Sequence, residues 1–144
     1  MDKIIFATGN KEKMKEIRQI MEGTPVEVLS MKEAGYSCDA EENGTTFTEN
    51  AIIKASAIAD AVKANGEEAI VLADDSGLEI DALNKEPGVY SARYMGEDTS
   101  YRIKNANLIE RLNGVPDEKR TARFVCAIAA VLPDGTELTT RGVI

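Results

Sequence analysis

Short apolar runs alternate along this chain with segments whose apolar residues recur every three or four positions, and this alternation limits the possible folds more than any other feature. Strands that alternate with helices are typical of α/β domains, and the last two strands form a hairpin. We therefore expect a mixed sheet flanked by helices, in a single domain over residues 1–144. The predicted strands are 3–7, 26–29, 69–73, 121–132 and 136–144, and the predicted helices are 11–21, 46–65 and a third that begins at Asp98 or Thr99.

The second and third helices have clear apolar faces. Thr46 and Glu49 fit a capping box, in which a threonine and a glutamate three residues later accept hydrogen bonds from each other's main-chain N–H groups. The residues expected to face inward from helix 46–65 are Phe47, Ala51, Ala55, Ile58, Ala59 and Val62. The expected apolar stripe of the third helix is Ile103, Ala106, Ile109 and Leu112.

Histidine is absent from the sequence. Its absence excludes Ser-His and Cys-His nucleophile systems and zinc sites with histidine ligands. The two cysteines, Cys38 and Cys126, stand far apart and form no CxxC pair. Any catalysis must therefore use carboxylates, lysines, hydroxyls or a metal, and oxygen ligands favour Mg²⁺, with Mn²⁺ as the alternative.

The formal net charge is −8, and aromatic residues make up 5% of the chain. General nucleic-acid binders usually have a basic face and aromatic side chains for base stacking, so we expect no nucleic-acid partner. No apolar run approaches the roughly 20 residues that span a membrane, and the apolar segment after Met1 is too short for a signal peptide. We expect a cytoplasmic protein with no membrane partner.

The turn after the first strand is the first candidate site. A Gly-containing turn followed by a helix exposes main-chain N–H groups that bind anions, and lysines in the first helical turn suit a bound phosphate. An equally weighted alternative is a solvated, lysine-rich helix face. The candidate phosphate-binding residues are Thr8, Gly9, Asn10, Lys11, Glu12 and Lys13.

The second candidate site is Asp74-Asp75-Ser76-Gly77, which directly follows the apolar run 69–73. Ligands of open α/β sheets lie beyond the carboxyl ends of strands, and adjacent side chains of a strand point in opposite directions. One carboxylate can therefore face a metal or a water molecule while the other anchors the loop. Taken alone, these residues slightly favour a turn in which both aspartates accept loop N–H bonds.

A third candidate is the acidic loop Glu41-Glu42-Asn43-Gly44, together with Lys54 on the second helix. The ordinary alternative is a solvated acidic loop and a surface lysine. Together the three candidates suit one reaction, since a triphosphate needs cationic donors, Mg²⁺ and an oriented water molecule. The possible metal ligands are Glu41, Glu42, Asp74 and Asp75.

Four segments resemble, in order, the Ham1/RdgB family of inosine/xanthosine triphosphate pyrophosphatases. They are Ala-Thr-Gly-Asn-Lys-Glu-Lys at 7–13, Thr-Phe-Thr-Glu-Asn-Ala at 46–51 with Lys54, Ala-Asp-Asp-Ser-Gly-Leu at 73–78, and Pro-Gly-Val-Tyr-Ser-Ala-Arg-Tyr at 87–94. Phe-Val-Cys at 124–126 fits the family's long strand, so the resemblance covers essentially the whole chain.

The resemblance implies hydrolysis of ITP, dITP and XTP to the monophosphate and pyrophosphate with Mg²⁺, by a two-lobed protein that is usually a homodimer. It implies that residues 8–13 hold phosphate and that Asp75 is both the proton acceptor and a metal ligand. It also implies a second metal ligand, Glu42 in preference to Glu41, while Ser76 contacts the substrate and Lys54 meets phosphate.

Family members continue past the position of residue 144 with a GFGYDP-type segment and a Ser-His-Arg segment that select the purine. Neither is present here, so we expect an ITPase-like (Maf/Ham1) fold that lacks its C-terminal part, with impaired activity or base selectivity. One alternative is a non-catalytic nucleotide-binding fragment that persists as an oligomer. Another is a pyrophosphatase of related fold that acts on modified pyrimidine nucleotides.

Overall fold

The computed structural model describes residues 2–38 and 40–144. Its strands are β1 (Asp2–Phe6), β2 (Val26–Ser30), β3 (Ile70–Ile80), β4 (Glu86–Pro87), β5 (Ala122–Val131) and β6 (Glu137–Val143). Its helices are α1 (Lys11–Ile20), α2 (Phe47–Ala64) and α3 (Tyr101–Arg111), with 3-10 turns at Asp81–Leu83, Gly88–Tyr90 and Asp117–Lys119. The strand order is β2-β1-β3-β5-β6, and β4 pairs with β3. Because β1 pairs in parallel with β2 and β3 while β4 is antiparallel to β3, the predicted mixed sheet is confirmed.

The chain divides into two compact units. The first contains the described residues up to Asp75 together with Ala127–Arg141, and the second contains Ser76–Cys126 with Gly142–Ile144. The single domain over 1–144 stays a prediction. None of the described helices has the length and apolar character needed to cross a membrane.

The core of the first unit lies between α2 and the sheet. Ala59, which was expected to face inward with the rest of the α2 face, is only partly buried. Asn50 is fully buried on the same face, which the apolar pattern did not predict. The buried α2 residues are Phe47, Asn50, Ala51, Ala55, Ile58 and Val62, and the strand residues of the core include Ile5, Val71, Ala73, Ala129 and Val131.

Helix α2 begins where the capping pattern predicted. The Thr46 hydroxyl accepts a hydrogen bond from the Glu49 main-chain N–H at 3.1 Å. The Glu49 carboxylate accepts from the main-chain N–H of Thr45 at 2.8 Å rather than from that of Thr46. The box is therefore closed one residue earlier than predicted, and it ties the preceding loop to the first turn of α2.

The prediction that a strand ends at Ala73 is wrong, because strand β3 continues beyond it. It runs without interruption from Ile70 to Ile80 and includes the segment 74–77, which resembles a turn in sequence. The pairing of β1 with β3 ends at Phe6 and Leu72, and β4 pairs with β3 further along, opposite Glu79 and Ile80. Its place in the sheet between β1 and β5, which are distant in the chain, has overridden the low strand propensity of aspartate and glycine.

The second unit corrects the prediction for the third helix. Its N-cap is Ser100, whose hydroxyl accepts from the Ile103 N–H, and not Asp98 or Thr99. Lys104 and Leu108, four residues apart, form the buried face instead of the predicted stripe. Of that stripe, Ile103, Ala106 and Ile109 are exposed and Leu112 is partly buried.

The inward turn of Lys104 has a structural reason. Its ammonium donates to the main-chain oxygen of Ala92 at 2.8 Å and lies 5.1 Å from the ring centroid of Tyr101. The aliphatic part of the side chain can therefore pack like an apolar residue while the charge is satisfied. The core beside it consists of Ile80, Leu83 and Leu108, with Leu78, Tyr94 and Leu112 packed against them.

Candidate functional site

The turn between β1 and α1 lies at the carboxyl end of β1. Asn10 is the N-cap of α1, and its side-chain oxygen accepts from the N–H groups of Glu12 at 2.9 Å and Lys13 at 3.2 Å. The Asn10 N–H in turn donates to the Thr8 hydroxyl at 3.1 Å. Side chains of the turn therefore accept hydrogen bonds from three of its main-chain N–H groups. Fewer main-chain N–H groups than predicted are free to bind an anion.

The side chain of Lys13 extends from the first turn of α1 to the second candidate segment. Its ammonium lies 2.7 Å from the Asp74 carboxylate. The Asp74 side chain is only 5% exposed, whereas that of Lys13 is 36% exposed. The buried carboxylate of Asp74 thus holds the ammonium of Lys13, whose side chain is partly open to solvent.

Lys54 joins the third candidate segment to the second. Its ammonium lies 2.9 Å from the Glu42 carboxylate and donates to the main-chain oxygen of Asp74 at 2.8 Å. The lysine side chain is 19% exposed, so α2 holds this charge close to the protein surface but largely covered. Two ion pairs and the hydrogen bond to the main-chain oxygen of Asp74 therefore link Glu42, Lys54, Asp74 and Lys13, which we call the charge chain.

Asp75 lies beside the charge chain and is only 8% exposed. Its Oδ2 accepts a hydrogen bond from the Asn50 side-chain nitrogen at 3.2 Å. Among the described residues, no protein group donates a hydrogen bond to the other oxygen, Oδ1. Every described side-chain oxygen or nitrogen that is buried has a hydrogen-bond partner. Oδ1 is therefore not completely enclosed by protein.

Burial raises the pKa of Asp75 above its ordinary value, because the charged form loses hydration. The hydrogen bond from Asn50 and the charge of Lys54 oppose this rise, while the negative charges of Glu42 and Asp74 add to it. An acidic group whose pKa is raised in this way binds a proton more readily than an exposed aspartate, and it gains from a nearby cation.

The structure brings together some of the predicted site residues and leaves others apart. Lys13, Glu42, Lys54, Asp74 and Asp75 are linked in the first unit by the contacts above. Exposed residues of the same unit are Gly9, Asn10, Lys11, Glu12 and Glu41, while Thr8 is partly buried. Ser76 belongs to the second unit and is exposed.

Asn50 contacts Asp75 but was not predicted as a site residue, and Gly44, the last residue of the third candidate segment, contacts Asn50. Gly44 donates its N–H to the Asn50 side-chain oxygen at 2.8 Å, so Asn50 connects the Glu42 loop with Asp75. The sequence feature that could have indicated Asn50 is its position. It is a polar residue on the apolar face of a helix, between Phe47 and Ala51. A polar residue at such a position needs a buried partner.

The described residues contain no group of three histidine, cysteine, aspartate or glutamate side chains placed to hold a metal ion unaided. Mg²⁺ does not require one, because it commonly binds through one or two carboxylates, waters and substrate phosphates. The charge of Glu42 raises the pKa of Asp75, so the two carboxylates lie near each other. This donor set fits a hard divalent cation.

A surface cavity of about 190 Å³ lies elsewhere in the first unit. Its lining includes Asp60 and Lys63 from the C-terminal half of α2, together with Glu67 and Pro133. None of the predicted site residues lines it.

The chain is similar to known proteins over nearly its whole length. A dITP/XTP pyrophosphatase of Clostridium perfringens is 45% identical over 143 residues, which cover 99% of this chain and 70% of that protein. The dITP/XTP pyrophosphatase of Bacillus subtilis is 44% identical over 142 residues, covering 99% of this chain and 69% of that protein. Among solved structures, the Ham1 protein of Staphylococcus aureus matches with a TM-score of 0.84 and 37% identity, over 99% of this chain and 70% of that one.

A HAM1 protein from Coxiella burnetii matches equally well, with a TM-score of 0.84, 37% identity and coverage of 99% of this chain and 71% of that one. These likenesses confirm the fold expected from the four ordered segments. A model of the Ham1 family matches residues 4–144. The chain therefore belongs to the Ham1 family.

Proposed function

We propose that this chain hydrolyses non-canonical purine nucleoside triphosphates such as ITP, dITP and XTP to the monophosphate and pyrophosphate. Relatives that are 44–47% identical are named dITP/XTP pyrophosphatases. The observation that carries the proposal is the arrangement of Lys13, Lys54 and Glu42 around Asp74 and Asp75. It gathers cations and carboxylates in a protein whose net charge is otherwise strongly negative.

The two lysines supply the cationic contacts that a triphosphate needs. Each is already paired with a carboxylate, which holds its ammonium in place before substrate arrives. A phosphate oxygen can add to the open side of Lys13, because an ammonium has three donors and the side chain is 36% exposed. In this proposal residues 8–12 border the phosphates, and Ser76 contacts the substrate.

Glu42 and Asp75 are the residues that would hold Mg²⁺ or, alternatively, Mn²⁺, with Glu41 and Asp74 as less favoured ligands. When bound, a divalent cation neutralises charge on the phosphoryl oxygens. Asp74 is the weaker choice because its side chain is only 5% exposed, against 34% for that of Glu42, and its carboxylate makes the shorter contact with a lysine. Glu41 is the weaker choice because it is exposed, whereas Glu42 is partly buried and its charge acts on Asp75.

Asp75 is the proposed general base. The reaction breaks the bridge between the α- and β-phosphates, and a water molecule supplies the oxygen that completes the new phosphate group. Oδ1 of Asp75 accepts the proton of that water while Oδ2 remains hydrogen-bonded to Asn50. The raised pKa of Asp75 improves its ability to accept a proton near neutral pH.

The test is pyrophosphate release by the purified chain with ITP, dITP or XTP and Mg²⁺, compared with ATP, GTP and modified pyrimidine triphosphates. We expect release with the first three, and an Asp75→Asn variant about 100- to 10,000-fold slower in kcat. Orthophosphate as the only product, or no product above the blank, would contradict the proposal. Mg²⁺-dependent nucleotide binding without turnover would instead support a non-catalytic nucleotide-binding protein.

We also propose that the chain forms a cytoplasmic homodimer that binds neither nucleic acid nor membranes. Exposed apolar side chains on α3, Ile103 at 53% and Ile109 at 64%, support burial against a second copy. Sedimentation velocity measures the mass directly, and we expect twice the chain mass of 15.6 kDa. A mass that stays at that of one chain across the concentration range would contradict the dimer.

A further inference from the structure

Asn50 is a fully buried polar side chain in the centre of the candidate site, with 0% exposure. Both ends of its amide are engaged. The oxygen accepts from the Gly44 N–H at 2.8 Å, and the nitrogen donates to Oδ2 of Asp75 at 3.2 Å. Replacing one such group leaves its buried partners unsatisfied, which is why polar residues at these positions are rarely interchangeable.

The orientation of the Asn50 amide follows from its neighbours. A main-chain N–H can only donate, so the Asn50 atom that faces Gly44 must be the oxygen. The amide nitrogen is then directed at Asp75. The flipped amide would place two donors against each other at Gly44 and two acceptors against each other at Asp75.

Gly44 is suited to this contact because it has no side chain. A Cβ atom at this position would lie 2.8 Å from the Asn50 side-chain oxygen and 2.8 Å from Cβ of Glu49. Both distances are shorter than real contacts allow. The loop that carries Glu42, two residues earlier, can therefore approach α2 this closely only with glycine at residue 44.

We propose that Asn50 is a positioning residue that fixes the Asp75 carboxylate relative to the Glu42 loop. It holds Oδ2 of Asp75 and leaves Oδ1 to a ligand, and through Gly44 it holds the loop that carries Glu42. The two carboxylates proposed to share a divalent cation are thus set by one amide. This inference rests on the proposed function for its consequence, but its metal-binding readout does not require turnover.

The test compares Asn50→Ala with a matched control, Ile58→Val, which loses one methyl group at another fully buried position of α2. The first measurement is calorimetric titration of Mn²⁺ in the presence of inosine α,β-methylene triphosphate, which is not cleaved between its α- and β-phosphates. We expect Asn50→Ala to weaken Mn²⁺ binding about 10- to 100-fold. Ile58→Val should lower the melting temperature and leave the Mn²⁺ affinity unchanged.

Kinetics provide the second readout. Asn50→Ala should lower kcat and raise the Mg²⁺ concentration for half-maximal rate, with KM for ITP changed less than about threefold, because Lys13 and Lys54 are held by Asp74 and Glu42 and not by Asn50. A merely structural residue would lower the amount of folded enzyme and leave the Mg²⁺ dependence as it is. Unchanged Mn²⁺ affinity in folded Asn50→Ala would overturn the inference.

Gly44→Ala perturbs the same link from the loop and keeps the inference testable should Asn50→Ala fail to fold. Gly44 is not in the core, and its new Cβ would push the loop away from Asn50. We expect the same loss of Mn²⁺ affinity, and an unchanged affinity would overturn the inference, as would no Mn²⁺ binding by the unsubstituted chain. Metal binding without pyrophosphate release would refute the proposed function alone.

Discussion

Lys54 forms an ion pair with Glu42 at 2.9 Å while the same ammonium donates to the main-chain oxygen of Asp74 at 2.8 Å. One side chain of α2 therefore contacts both the acidic loop before the helix and strand β3. Since a phosphate would add a further contact to this ammonium, removal of the charge should affect substrate binding more than stability. Partly exposed ion pairs contribute only about 0–1 kcal/mol to folding.

We predict that Lys54→Gln raises KM for ITP at least about tenfold, which corresponds to the loss of roughly 1.4 kcal/mol of binding free energy. Lys63→Gln, an exposed lysine in the last turn of the same helix, should leave KM unchanged. Steady-state pyrophosphate release measures both variants. Equal KM values for the two variants would remove Lys54 from the phosphate site.

Asp75→Asn should stabilise the metal-free protein at neutral pH. The folded state raises the pKa of Asp75 chiefly through burial, so the ionised carboxylate is less favourable there than in the unfolded chain. The stabilising effect of the protonated form is present below the ordinary value of 3.8 and is lost as pH rises through the folded-state pKa. Asparagine removes this loss, so the melting temperature at pH 7 in EDTA should be higher than that of the unsubstituted chain.

The control for this comparison is excess Mn²⁺ with the uncleaved triphosphate analogue. Ligands that bind only the folded state stabilise it, so the unsubstituted chain should gain more from them than Asp75→Asn. A lower melting temperature for Asp75→Asn in EDTA would mean that the Asp75 charge stabilises the fold, contrary to the direction of its pKa shift.

Helix α2 shows how much of this fold the sequence predicts. Its bounds follow from local chemistry, because the Thr46 hydroxyl caps its first turn and Asn65-Gly66 ends it. Strand β3 was predicted as ending at Ala73, since Asp-Asp-Ser-Gly is a turn sequence. Its sheet neighbours β1 and β5 lie far away in the chain, so no local pattern shows that the strand continues.

The site was only partly predictable for the same reason. The segments that carry Lys13, Lys54 and Asp75 were recognised, but their convergence depends on the positions of α1, α2 and β3 in the fold. Asn50 was missed because an apolar helix face gives no sign of what its one polar member contacts. On α3, Ile103 and Ile109 were wrongly expected to be buried, because hydrophobicity alone ranks them above Lys104.

Thr46→Ala should destabilise the first unit through the N-terminus of α2. The Thr46 hydroxyl accepts the Glu49 N–H at 3.1 Å, and loss of an N-cap hydroxyl costs about 1 kcal/mol. Thr46→Ser keeps the acceptor and should lie within a few tenths of a kcal/mol of the original chain. Urea denaturation measures the difference, and equal midpoints for the alanine and serine variants would show that the cap contributes nothing.

Glu67 provides a pH-dependent contribution to stability away from the candidate site. Its carboxylate accepts from the Tyr36 hydroxyl at 2.7 Å and the Asn65 amide at 2.9 Å, and it lies 3.2 Å from the Lys3 ammonium. These contacts, with the Tyr36 hydrogen bond the largest contributor, lower the pKa of Glu67 below its ordinary value of 4.5. The stabilisation is therefore present above that value and is lost as pH falls through the folded-state pKa.

Glu67→Gln should remove this part of the pH dependence. We expect the variant to be less stable than the original chain near pH 7 and the two to converge as the pH falls through the folded-state pKa of Glu67, because the original carboxylate is then protonated. Glu68→Gln, at the exposed neighbouring position, is the control and should keep the original slope of stability against pH. Urea denaturation midpoints, measured for both chains as a function of pH, test this expectation. Parallel curves for Glu67→Gln and the original chain would mean that the contacts with Tyr36, Asn65 and Lys3 do not favour the charged form of Glu67.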